Sequence, residues 1–99
     1  MHTAYLLMGG NIGNREEYLQ QASQLISQLA GRVEKSSSIY ETAAWGNTNQ
    51  SAFLNQAVQV NTRLTAAELM TTLLLIEEKM GRKRLDKYGP RVIDIDILL

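Results

Sequence analysis

Cysteine is absent from the 99 residues, and proline, histidine, tryptophan and phenylalanine occur once each. Without cysteine there is no disulfide, no thiolate metal centre and no thiol nucleophile. The single histidine, His2, reads as an ordinary polar residue. An excess of one charge sign is missing too: ten Lys and Arg residues balance ten Asp and Glu residues. That removes the bulk positive field behind non-specific nucleic-acid binding, while leaving room for a local basic cluster. No apolar run approaches the roughly 20 residues that span a bilayer. The start, MHTAYLLMGGN, has neither the basic n-region nor the long apolar stretch of a signal peptide. These absences predict a soluble, cytoplasmic protein.

What is present is an ordinary globular composition, 44% hydrophobic and 20% charged, which is enough for one core. The length suits one small domain and not two, and a core of that size leaves little stability to spare.

Residues 3–8 (TAYLLM) form an apolar run stopped by Gly9-Gly10-Asn11, which predicts a buried strand and then a tight turn. Asn14 can cap a helix whose apolar positions Tyr18, Leu19, Ala22, Leu25, Ile26 and Leu29 follow the 3.6-residue period, with Gly31 as its C′ residue. Residues 32–40 (RVEKSSSIY) predict a second strand and residues 42–49 a loop. Residues 53–62 (FLNQAVQVNT) alternate as a third strand, with Asn55, Gln59 and Asn61 on its polar face. Thr65 and Glu68 have capping-box spacing at the start of a second helix, which runs through Leu69, Leu73, Ile76 and Met80 and stops before Gly81. A basic loop over residues 81–91 leads into a last strand over residues 92–99. The order β-α-β-β-α-β predicts an α+β fold: a ferredoxin-like βαββαβ sandwich with both helices on one face of an antiparallel sheet.

Two features carry chemistry. Asp94 and Asp96 are two apart on a strand, so they point to one face about 6.6–7 Å apart, while Ile93, Ile95 and Ile97 point to the other. Two carboxylates so placed suit a hard cation, and Mg²⁺ commonly takes one or two carboxylates plus substrate phosphates. The alternative is the polar face of an edge strand; the aliphatic neighbours instead suggest a central strand. Directly before the pair lie Arg82, Lys83, Arg84, Lys87 and Arg91. Guanidinium forks match phosphate oxygens, so the loop and the acid pair together have the layout for a polyphosphate. Taken alone, the loop could equally be solvated and bridged to Glu77, Glu78 and Asp86. Gly9-Gly10-Asn11-Ile12-Gly13 is neither a Walker A loop nor a dinucleotide fingerprint; it reads as a tight strand-to-helix turn, with a phosphate cradle at the helix N-terminus as the alternative.

The stretch Lys87-Tyr88-Gly89-Pro90-Arg91-Val92-Ile93-Asp94-Ile95-Asp96-Ile97-Leu98 resembles the signature of the 6-hydroxymethyl-7,8-dihydropterin pyrophosphokinases. Weaker agreements run along the chain in the family's order: Gly9 to Gly13, Tyr40-Glu41-Thr42, Phe53-Leu54-Asn55, and Glu77 with Gly81-Arg82-Lys83-Arg84. The resemblance implies transfer of pyrophosphate from ATP to the hydroxymethyl group of the reduced pterin, releasing AMP, in folate biosynthesis. It implies two Mg²⁺ ions on Asp94 and Asp96, and a catalytic set of Arg82, Arg91, Asp94 and Asp96. Glu77, Arg82, Arg84, Tyr88, Arg91 and Ile97 would meet ATP; Thr42, Trp45, Phe53, Asn55 and Asp94 would meet the pterin. Tyr88 stands where the family commonly has tryptophan. The family also has a C-terminal part with further basic residues, a histidine and a second aromatic. Residues 1–99 are therefore expected to be a single pterin pyrophosphokinase domain lacking that part, acting as a monomer, with a dimer as the alternative, and without nucleic-acid or membrane partners.

Two other functions share the element order. An RNA recognition motif needs a basic-glycine-aromatic pattern on its sheet, which Phe53-Leu54-Asn55-Gln56-Ala57-Val58 lacks. A ligand-sensing domain without catalysis would leave the acid pair and the basic loop unexplained.

Overall fold

Side-chain alternation decides how the first strand is used. A computed structural model describes residues 1–43, 51–81 and 92–98. In β1 (His2–Gly10), Ala4, Leu6 and Met8 are buried, whereas Tyr5 between them is 46% exposed. β4 (Phe53–Thr62) does the same with Leu54, Val58, Val60 and Thr62. The two strands pair antiparallel from His2↔Thr62 to Gly10↔Leu54, which brings both apolar sets to one face. β2 (Arg32–Ser36) and β3 (Tyr40–Thr42) both pair antiparallel with β4, and β5 (Asp94–Ile97) pairs antiparallel with β1. The sheet order is β2-β4-β1-β5, with β3 also alongside β4.

Helix α1 (Arg15–Leu29) buries Leu19, Ala22 and Ile26, and α2 (Ala66–Lys79) buries Leu69, Leu73 and Ile76. All six join Ala4, Leu6, Met8, Leu54, Val58, Val60, Ile93 and Ile95 in one core. Both helices therefore cover the same face of the sheet, and among the described residues its other face is open. This is the α+β class expected from the element order. No helix among the described residues is long and apolar enough to cross a membrane.

Helix ends follow local chemistry. Asn14 accepts a hydrogen bond from the Glu17 N–H at 3.2 Å, capping α1 as expected. At α2 the Thr65 hydroxyl accepts from the Glu68 N–H at 3.2 Å, and the Glu68 carboxylate accepts from the Thr65 N–H at 2.8 Å. The Thr65 backbone N–H, and after it the Thr65 side chain, hold the Glu68 carboxyl below its ordinary pKa. A lowered folded-state pKa stabilises the fold above the unfolded value, and that stability is lost as pH falls through the folded value. Glu68→Ala should therefore lower the thermal midpoint at neutral pH. The difference from wild type should vanish in acid, in melts recorded across a pH series.

Four expectations need correction. Gly9 and Gly10 are not a turn; they lie inside β1, paired with Asn55 and Leu54. The strand expected over residues 32–40 is broken at residues 37–39, which gives five strands among the described residues. Its register already shifts between Val33 and Lys35. At Ser37 the backbone N–H still donates to the Ala57 carbonyl at 2.8 Å, but the Ser37 hydroxyl accepts from the Ala57 N–H at 2.9 Å. A serine side chain has taken the place of a ladder carbonyl. Gly31 does not adopt the left-handed conformation of a C′ residue. It is glycine because a Cβ there would lie 2.4 Å from the Asn61 carbonyl oxygen. Finally, β5 stands at the edge of the described sheet, not in its centre. Its Ile95 is buried, and Ile97 partly so, because α2 packs on it.

Candidate active site

The open face is made by the odd positions of β1 and β4 and the even positions of β5. Register places Gly9 between Asn55 on one side and Asp94 on the other. Leu7 lies likewise between Ala57 and Asp96. Neighbouring strands are about 4.8 Å apart, and Gly9 has no side chain. A trough therefore runs over Gly9, walled by an amide on one side and a carboxylate on the other. It forms a cavity of about 200 Å³ lined by Leu7, Gly9, Thr42, Ala43, Phe53, Asn55, Asp94 and Asp96.

The amide wall has a defined orientation. Asn55 Nδ2 donates to the Thr42 hydroxyl at 2.9 Å and to the Tyr40 carbonyl at 3.4 Å. Both amide hydrogens are thus directed to β3, and the oxygen is left to accept. That oxygen sits over Gly9, where a Cβ would come within 2.7 Å of it. Glycine inside a strand commonly marks such a close approach.

The acid wall is held from below. Asp94 is half-buried and Asp96 exposed, while Ile93 and Ile95 are buried on the core side. At the edge of the described sheet, β5 turns backbone donors away from β1. The Ile95 N–H, between the two aspartates, donates at 2.7 Å to the carboxylate of Glu77 on α2, which is itself only 4% exposed. No group of three or more His, Cys, Asp or Glu side chains placed to hold a metal occurs among the described residues. Two carboxylates are a donor set that suits Mg²⁺ when other oxygens complete its shell.

Five of the sequence-predicted site residues thus come together: Thr42, Phe53, Asn55, Asp94 and Asp96. Two do not. Ile97 packs partly buried against the core, and Glu77 lies on the helical side of β5. Trp45, Arg82, Arg84, Tyr88 and Arg91 lie outside the described residues, as do Lys83 and Lys87. Leu7, Gly9 and Ala43 line the cavity without having been expected as site residues. For Gly9 the available signal was a glycine continuing an apolar run. A larger depression of about 690 Å³, lined by Asn14, Glu16, Glu17 and Ile39 among others, has no aromatic side chain among the described residues of its wall. Its two glutamates would repel a polyphosphate.

A profile of the family described as 7,8-dihydro-6-hydroxymethylpterin-pyrophosphokinase (HPPK) matches residues 5–99. The chain belongs to the HPPK family. Among curated HPPK relatives, the 2-amino-4-hydroxy-6-hydroxymethyldihydropteridine pyrophosphokinase of Bacillus subtilis (strain 168) is 48% identical over 97 residues, covering 97% of this chain and 58% of the relative. The protein of the same name from Aquifex aeolicus (strain VF5) is 42% identical over 99 residues, covering 100% and 61%. The bifunctional protein FolKE of Lactococcus lactis subsp. lactis (strain IL1403) is 40% identical over 99 residues, 99% of this chain and 28% of that protein. This HPPK chain thus spans about three fifths of the length of the first two relatives.

Proposed function

We propose that this HPPK-family chain transfers pyrophosphate from ATP to the hydroxymethyl group of 6-hydroxymethyl-7,8-dihydropterin, giving AMP, as a step of folate biosynthesis. The observation that carries this is the sharing of one open sheet face by the acid pair Asp94 and Asp96 and by Phe53, Asn55 and Thr42, with Gly9 as the floor between them. The strand order, with both helices on one side, is read as the ferredoxin-like plan.

Each residue present has a chemical task. Phe53 offers an aromatic face to a flat heterocycle. The Asn55 oxygen offers an acceptor to an N–H on the ring edge, held in place because the nitrogen is engaged by Thr42 and Tyr40. The hydroxymethyl arm would then point along the trough to the aspartates. Two Mg²⁺ ions bound by Asp94 and Asp96 would neutralise phosphate charge and lower the pKa of the attacking hydroxyl. The hydroxymethyl oxygen gives up its proton to solvent and bonds the β-phosphorus, while the bond from that phosphorus to the oxygen bridging the α-phosphorus breaks and AMP leaves with that oxygen. Arg82, Arg84 and Arg91 would offset the negative charge of the phosphates, with Arg82 and Arg91 completing the catalytic set. Trp45 is assigned to the pterin, and Tyr88, Glu77 and Ile97 to the nucleotide side. Most of the acceleration would come from positioning and electrostatics, as in other phosphoryl transfers.

The test is the product. ATP, Mg²⁺ and the hydroxymethyl dihydropterin should yield AMP and the pterin pyrophosphate in equal amounts. ADP, or AMP released without pterin, would contradict the proposal. Gly9→Ala checks the floor of the site separately. Its methyl group would press on the Asn55 oxygen, the movable end of a side chain on the open face, so the fold should survive. Pterin affinity in a direct titration should fall roughly tenfold, as expected for filling a close-packed contact.

A further inference from the structure

Phe53 lies just past the end of its strand's support. The β1–β4 ladder stops at Gly10↔Leu54, so β1 does not pair with Phe53. On the other side it pairs only with Thr42, at the end of the three-residue, exposed strand β3. A ring meant to stack on a ligand needs a firmer mount. Asn11, in the β1–α1 connection, and Arg15, at the start of α1, supply one. Asn11 Nδ2 donates to the Ser51 carbonyl at 3.1 Å, and Arg15 Nη1 donates to the Ala52 carbonyl at 2.7 Å. Arg15 Nη1 also meets the Glu41 carboxylate at 3.4 Å. The two residues before Phe53, and the one before Thr42, are therefore gripped from the same short segment.

Asn11 is a polar residue only 5% exposed, so its amide depends on protein partners, the Ser51 carbonyl among them. Arg15 opens α1, where the macrodipole disfavours a cation and favours the acids that follow, Glu16 and Glu17. A cation placed against its helix has another use, here as a reach across to β3 and β4.

We propose that Asn11 and Arg15 are positioning residues for pterin recognition: they fix the entry of β4, and with it Phe53 and Thr42, at the rim of the cavity. This rests on the pterin assignment above. Neither residue lines the cavity, so each would act through Phe53 and Thr42 without touching the ligand.

Arg15 is the safer probe because its side chain is partly exposed. In the wild-type protein, Arg15→Ala, Arg15→Lys and Asn11→Asp, the dissociation constants of 6-hydroxymethyl-7,8-dihydropterin and of magnesium with a non-hydrolysable ATP analogue are measured separately. Hydrogen exchange of the peptide 51–55 is followed by mass spectrometry. Arg15→Ala and Asn11→Asp should weaken pterin binding roughly tenfold, leave the nucleotide within about twofold, and speed exchange of the 51–55 peptide. Arg15→Lys, which keeps a donor for one carbonyl, should recover most of the loss. Equal weakening of both ligands, or unchanged pterin affinity in both variants, would overturn the proposal. If the wild-type protein binds no pterin, the pterin assignment itself fails. The exchange data then decide the clamp alone: faster exchange upholds it and unchanged exchange removes it.

Discussion

Asp94→Ala and Asp96→Ala should each lower AMP formation on the order of a thousandfold, the scale on which removal of one preorganised charge-stabilising group acts. Both side chains stand on the solvent side of β5, while its aliphatic side chains, Ile95 above all, carry the packing. The fold should therefore tolerate either change, with thermal midpoints close to wild type in the absence of metal. The isosteric Asp94→Asn and Asp96→Asn variants sharpen the test, since they keep shape and remove only charge. Wild-type protein should gain thermal stability when Mg²⁺ and an ATP analogue are added together, because a ligand that binds only the folded state stabilises it. In each variant that gain should shrink or disappear. Full activity in both variants would remove the metal assignment, whatever the melts showed.

Glu77→Leu should lower stability by about 2–3 kcal/mol in urea unfolding at neutral pH. The side chain is buried and its carboxylate accepts from the Ile95 N–H at 2.7 Å. A hydrogen bond to a charged group contributes about 1.5–3 kcal/mol, and leaving a buried donor unsatisfied costs its full desolvation. The consequence for chemistry is specific, because Ile95 separates the two aspartates. Once its N–H is released, the edge strand can shift and the spacing of Asp94 and Asp96 is no longer held. Apparent Mg²⁺ affinity should fall together with stability. Glu77→Gln keeps a carbonyl oxygen to accept the bond and should recover most of both. If Glu77 instead acts by contact with the nucleotide, Glu77→Gln should weaken ATP binding at unchanged stability. The two variants thus separate support of the strand from the nucleotide role that family resemblance implies.

The positions that proved legible in the sequence are those set over short separations. A capping box is decided within three residues, and Thr65 with Glu68 forms one. Alternation is decided within two, so the bounds of β4 and the common face of Asp94 and Asp96 follow from their own neighbours. Helical periodicity likewise picked out Leu19, Ala22, Ile26, Leu69, Leu73 and Ile76 as core. The break of the second strand at residues 37–39 is also local, but it depends on a serine hydroxyl competing with the ladder, which apolar patterning does not register.

Contacts between distant segments decided the rest. An aliphatic run such as residues 92–99 looks the same whether a strand or a helix covers it, so β5 could be placed at the edge only once α2 was seen to bury it. Gly9 and Gly31 look like turn and cap glycines in isolation; each is required instead by an approach to β4, to Asn55 and to Asn61. Asn11 and Arg15 reach carbonyls 40 and 37 residues away, and Glu77 reaches Ile95 across 18. The sequence by itself determined which side chains share a face within each element. Tertiary structure alone decided how those faces are brought together and held, because strand register depends on matching apolar surfaces between segments whose separation in the chain leaves no periodic trace.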